Sequence, residues 1–140
     1  MRGTFIARLS GAGLALWSAA AGAAPGQAPS VLVIRTIQPG QWELREVGSS
    51  GPPKLMCLSD PDTLIQLRHA GAVCTRFVVA NEPQEATVNY SCNGAGNGRT
   101  TIHLDTPRQL RLQTQGIAQS APFDMDYNAR RLGDCGASAH

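Results

Sequence analysis

Residues 74–92 read CTRFVVANEPQEATVNYSC, and this stretch decides the fold. Cys74–Ala80 and Glu85–Cys92 are two runs rich in β-branched residues, separated by Asn81-Glu82-Pro83-Gln84. In the second run Val88, Tyr90 and Cys92 alternate with Thr87, Asn89 and Ser91, the period of two that a half-buried strand requires. Pro83 cannot donate to a ladder and fixes its own φ, so the turn is expected at Glu82-Pro83. Positions whose numbers sum to about 165–166 then face each other, and Cys74 and Cys92 meet that condition. Facing Cα atoms in an antiparallel pair lie about 4.5–5.5 Å apart, inside the reach of a disulfide at roughly 4.4–6.8 Å.

The same alternation runs outward from the hairpin. Asn93–Gly98 is a glycine-rich turn before Arg99–Asp105, and Thr106-Pro107-Arg108 leads into Gln109–Ile117. Gln119–Pro122 turns into Phe123–Leu132, where Phe123, Met125, Tyr127 and Ala129 oppose Asp124, Asp126, Asn128 and Arg130. Upstream, Gln41–Val47 and Lys54–Leu58 add two strands, with Trp42 and Leu44 on the apolar side of the first. The expected fold is mainly β: an antiparallel meander of about seven strands, forming a curved sheet or a small barrel. One short helix is expected at about Asp60–Ala70. Ser59 caps it, Asp62 completes a capping box, Pro61 occupies the first turn, and Gly71 ends it.

With Cys74 and Cys92 paired, Cys57 and Cys135 remain for each other, and an up-and-down path brings both to one rim. The alternative pairing, Cys57 with Cys74 and Cys92 with Cys135, stays open. Zinc is disfavoured because no Cys-x-x-Cys pair exists among the four cysteines, and structural zinc sites draw on such close spacings.

Residues 1–23 have the form of a secretory signal. Arg2 and Arg8 precede the apolar run Leu9–Ala20, and Ala21-Gly22-Ala23 supplies small residues for cleavage before Ala24. The run is too short for a spanning helix, which needs roughly 20 residues, so no transmembrane segment is expected in the mature form. Residues 24–36 are expected as a leader, 37–135 as one β-rich domain, and 136–140 as a tail. Export to a periplasmic or secreted location, an oxidising setting, agrees with an even cysteine count. The formal charge of +2 includes Arg2 and Arg8, so the mature chain carries ten Lys/Arg against ten Asp/Glu. With no basic stripe, a nucleic-acid partner is not expected.

No catalytic, cofactor-binding or metal-ligating constellation emerges. Gly94-Ala95-Gly96-Asn97-Gly98 lacks both the spacing of a phosphate-binding loop and the helix that must follow it. Asp124, Asp126 and Asn128 have the opening of a calcium loop, but Ala129 and Cys135 stand where glycine and an acidic ligand belong. They read instead as the solvent face of a strand. His69, His103 and His140 are far apart in sequence, and a Ser-His-Asp arrangement from Ser91 or Ser120 with His103 would be fortuitous. Asn89-Tyr90-Ser91 is a glycosylation sequon inside a strand, read as coincidence.

Pro39-Gly40-Gln41-Trp42-Glu43, Cys57-Leu58-Ser59, the Cys74–Cys92 spacing, the glycine-rich turn and Tyr127 to Arg130-Arg131-Leu132-Gly133-Asp134-Cys135 occur in that order. Over Ile37–Cys135 the pattern resembles a bacterial secreted family known as domain of unknown function number 3617. The resemblance implies periplasmic export, a β-rich fold and four framework cysteines, and no activity. The expected function is therefore a non-enzymatic periplasmic domain that binds a small-molecule or protein partner, or maintains the envelope. The alternative is a small envelope enzyme or inhibitor with a loop-built site.

Overall fold

Alternating sequence becomes seven antiparallel strands in the computed structural model, which describes residues 30–136. The signal peptide expected at 1–23, the expected leader up to residue 29 and the end of the expected tail, with His140, lie outside the described residues. A short helix α1 (Leu32–Thr36) leads into β1 (Gly40–Glu46) and β2 (Lys54–Leu58). A 3-10 segment (Pro61–His69) follows, then β3 (Cys74–Asn81), β4 (Glu85–Cys92), β5 (Gly96–Thr106), β6 (Gln109–Ala118) and β7 (Ala121–Gly133). All seven strands form one sheet in the order β2-β1-β7-β6-β5-β4-β3.

The sheet stays open, with β2 and β3 as its edges, so the barrel alternative is not taken. Closure is unnecessary because helical pieces cover the apolar face. Trp42, Leu44, Val88, Ile102, Leu110 and Leu112 are all fully buried there. They form one cluster with Val33 and Ile34 of α1 and with Leu64, Ile65 and Leu67 of the 3-10 segment. Each such side chain contributes roughly 1.5–3 kcal/mol through burial. The run Val31–Ile37, which the sequence left ahead of the β-rich domain, thus packs into its core.

The disulfides are Cys57–Cys135 and Cys74–Cys92, with Cα separations of 5.5 and 4.0 Å. Cys74 faces Cys92 in the β3–β4 ladder as expected. The turn, however, is centred on Pro83-Gln84, with the Glu82 amide donating to the Glu85 carbonyl at 2.8 Å, and a bulge between Val78 and Ala80 shifts the register by one. Each bridge ties down an edge strand. One joins β3 to β4, and the other carries β2 across β1 to the chain beyond β7.

The helix expected at Asp60–Ala70 is corrected in type. It is a 3-10 segment over Pro61–His69, broken at Gln66, whose φ and ψ are −123° and 44°. Asp60 rather than Ser59 caps it, its Oδ1 accepting from the Asp62 amide at 3.0 Å. The cause of the break is tertiary. The Thr100 hydroxyl donates to the Ile65 carbonyl at 2.6 Å, occupying an acceptor that an α-helix uses internally. The Gln66 carboxamide turns inward and donates to the carbonyls of His69 and Ala72 at 3.2 and 2.9 Å. Four consecutive residues, Leu64–Leu67, are buried, more than the single apolar stripe of an amphipathic helix provides.

Candidate functional site

The face of the sheet turned away from the helical cover is polar, and the ladder registers arrange its side chains in rows that cross the strands. One row runs Arg45–Asn128–Arg111–His103–Glu85. The next is Asp126–Gln113–Thr101–Thr87. A third is Asp124–Gln115–Arg99–Asn89–Phe77. Neighbouring positions in a row are about 4.8 Å apart, and successive rows are separated by about 7 Å, two residues along a strand.

Ion pairs hold one end of this face. Glu43 accepts from Arg130 at 3.0 Å and lies 3.7 Å from Arg45. Asp105 pairs with Arg111 at 3.2 Å, and His103 lies 3.3 Å from Glu85 and 3.7 Å from Asp105. Apart from Glu43, whose side chain is 14% exposed, these groups are well solvated, and exposed pairs contribute at most about 1 kcal/mol each. The other end is different. Among the described residues no ion pair involves Arg99, Asp124 or Asp126. Depressions of about 520 Å³, over Asn89, Arg99, Gln115 and Asp124, and about 300 Å³, over Arg99, Gln113, Gln115, Asp124 and Asp126, adjoin there.

The inner face carries a buried polar chain. The two carbonyls of Ala95 and Ile117 lie 3.1 Å from His69 Nε2, so the ring proton sits on that nitrogen. Nδ1 then accepts from the Tyr90 hydroxyl at 3.1 Å. Thr100 and Thr114 exchange a hydrogen bond at 2.9 Å, and Thr100 reaches the Ile65 carbonyl. His69, Tyr90, Thr100 and Thr114 are all buried, and among the described residues no buried side-chain polar atom lacks a partner. The chain docks the 3-10 segment on β4, β5 and β6, and His69 at the end of that segment is 6% exposed.

Burial raises the Tyr90 hydroxyl above its ordinary pKa, against weaker opposing effects of Thr114 and Arg68. Burial also raises Tyr127, with the Glu46 charge adding to it and Arg68 opposing. A raised native pKa means that the unfolded chain loses its phenolic proton first. The stability that goes with the neutral phenols is complete below about pH 10 and is lost as pH rises through the native values. Urea unfolding is therefore expected to show constant stability between pH 7 and 9 and a decline above pH 10. Tyr90→Phe is expected to flatten that decline while lowering stability at pH 7, because His69 Nδ1 loses its donor. An undiminished decline in the variant would assign the effect elsewhere.

The structure separates the remaining sequence candidates. Asp124, Asp126 and Asn128 lie on the solvated side of β7, as alternation expects. Among the described residues no three His, Cys, Asp or Glu side chains converge as a metal site. Ser91 pairs with Asn97 near one end of β4, while His103 pairs with Glu85 at the other. Six residues of strand, about 20 Å, divide them. Ser120 lies in the β6–β7 turn, where it and Gln119 have φ of 64° and 52°. Gly96, Asn97 and Gly98, expected in a turn, are strand residues of β5. The position that sequence reading missed is Phe77, which is 68% exposed at the end of a polar row.

Neither the curated proteins nor the solved structures contain a match to this chain. One family, described as protein of unknown function (DUF3617), matches residues 37–135, from the end of the first helix to the last cysteine. That span covers most of the chain and all seven strands, and the chain belongs to this family.

Proposed function

We propose that this chain is an exported periplasmic domain that works without catalysis, binding a partner on the polar face of its sheet. The observation that carries the reading is the division of labour between the two faces. The inner face is consumed by the core and by the buried His69–Tyr90 and Thr100–Thr114 contacts. The outer face presents Arg99, Gln113, Gln115, Asp124 and Asp126 in register, and none of the three charges is neutralised by an ion pair among the described residues. Two disulfides agree with an oxidising compartment, and among the described residues no helix is long and apolar enough to cross a membrane.

The test uses chain recovered from the periplasm of a bacterial host. Mass spectrometry is expected to find Ala24 as the first residue. The same protein, labelled with nitrogen-15, is then titrated with desalted periplasmic extract. Amide shifts are expected to concentrate in Arg99–Thr101, Gln113–Gln115 and Asp124–Asp126. Intact Met1 chain confined to the cytoplasm, or shifts confined to α1 and the 3-10 segment, would overturn the reading.

A further inference from the structure

Among the polar rows, only the one from Asp124 to Phe77 ends on an exposed aromatic ring. From β7 to β3 its positions are a carboxylate, a carboxamide, a guanidinium, a carboxamide and a phenyl ring. Their hydrogen-bonding capacities differ in order: acceptor only, both, donor only, both, and none. Among the described residues none of the four polar side chains takes part in a hydrogen bond or ion pair, although Arg99, Gln115 and Asp124 are exposed and Asn89 is half-buried. A shallow, open depression follows the row from Asp124 through Gln115 and Arg99 to Asn89 and stops short of Phe77.

We infer that this row binds a linear oligosaccharide laid across the strands, deepening the reading of the face as a binding surface. A hydroxyl both donates and accepts, so a polyhydroxylated chain satisfies Asp124, Gln115, Arg99 and Asn89 in turn. A ligand of one fixed charge would be attracted at one of Arg99 and Asp124 and repelled at the other, two positions away. The apolar C–H face of a sugar ring covers Phe77, which otherwise leaves a large apolar surface in water. Five strands at about 4.8 Å spacing give the row a length of about 19 Å, enough for several linked sugars and too long for one. An extended peptide is the poorer fit. Peptides that add to sheets pair along the free backbone of an edge strand. On the free edge of β3 such a peptide runs parallel to the strands and meets only the Phe77 end of a row that crosses them.

The experiment titrates the nitrogen-15-labelled protein with the β-1,4-linked tetramer of N-acetylglucosamine and, in parallel, with the monomer. Shifts are expected at Phe77, Asn89, Arg99, Gln115 and Asp124, with the tetramer at least tenfold tighter than the monomer. Phe77→Ala and Arg99→Ala, both solvent-face changes, are each expected to weaken the tetramer tenfold or more. Arg35→Ala, on α1 away from this face, leaves affinity unchanged. The inference is overturned by no shifts with the tetramer, by equal affinity for monomer and tetramer, or by full affinity in the Phe77 and Arg99 variants. Where the tetramer fails but periplasmic extract still shifts Arg99–Thr101, the saccharide assignment falls while the binding face stands.

Discussion

Replacing Cys57 and Cys135 together with serine lowers the unfolding free energy by about 4–5 kcal/mol, more than any other change to the covalent framework. The two residues are 78 apart in sequence, against 18 for Cys74 and Cys92. In the chain-entropy account the longer loop restricts the unfolded ensemble more, and the shorter bridge contributes about 3 kcal/mol. The native fold adds to the contrast. Strand β2 is five residues long and pairs only with β1, so the Cys57 bridge is its second attachment. Strand β3 pairs with β4 over most of its eight residues and keeps that ladder without its bridge. Urea unfolding of the two double-serine variants at neutral pH measures the difference, and amide exchange localises it. Exchange in the Cys57/Cys135 variant is expected to accelerate first in Lys54–Leu58. Equal losses in the two variants, or a larger loss from Cys74/Cys92, would contradict the account.

The strands and the bridges were legible because each rests on a local rule. Period-two alternation marks which residues of β4, β6 and β7 face inward, and the ladder follows once a turn is placed. The pairing of Cys74 with Cys92 follows from a count about the expected turn; the turn itself lies one residue further on, at Pro83-Gln84, and the bulge between Val78 and Ala80 offsets that shift. What was illegible depends on partners distant in sequence. The signals in Ser59–Gly71 do mark a helical start, but the break at Gln66 comes from Thr100, 35 residues beyond Ile65. Helix α1 is built from Leu32, Val33, Ile34, Arg35 and Thr36, a β-branched composition that favours strands in isolation. Burial of Val33 and Ile34 against the sheet overrides that preference.

The polar face was half legible. Alternation alone exposes Arg99, Gln113, Gln115, Asp124 and Asp126, and a meander brings their strands together. Strand β3 is the exception, because Phe77 and Val79 are more apolar than Arg76. Read by hydropathy, Phe77 belongs inside. The β3–β4 register sets it opposite Asn89 on the outer face, while Arg76 turns inward to Asp62 at 3.1 Å and Gln66 at 3.1 Å. Those two partners belong to a segment whose path the sequence did not disclose; the Cys74–Cys92 register, by contrast, already implies that Phe77 faces outward with Asn89, against its hydropathy.

Gly96→Ala is expected to cost about 4 kcal/mol, whereas Gly94→Ala, two residues earlier, costs about 1 kcal/mol. Both glycines have positive φ, 73° at Gly94 and 123° at Gly96, where a side chain is strained. Strain of that kind is worth about 1–2 kcal/mol at a single left-handed position. The sites differ in what a methyl group would meet. At Gly94 nothing lies within 4 Å of the added carbon. At Gly96 the carbon would fall 1.9 Å from the Ile117 carbonyl oxygen and 2.9 Å from His69 Nε2. That carbonyl is one of the two acceptors of the His69 proton. Relief therefore demands that β5 and β6 separate and that a buried hydrogen bond be lost. Overpacking and a lost buried bond each add roughly 1–3 kcal/mol to the backbone strain. Gly98→Ala falls between, because its added carbon would meet the Tyr90 phenol at 2.4 Å, and a ring yields more readily than a paired backbone. Urea unfolding of the three variants is expected to rank them Gly94, Gly98, Gly96 in rising cost. The Gly96 variant should also lose amide protection at the start of β5. A Gly96 variant as stable as the Gly94 variant would mean that these glycines form only a mobile turn, with no part in seating His69.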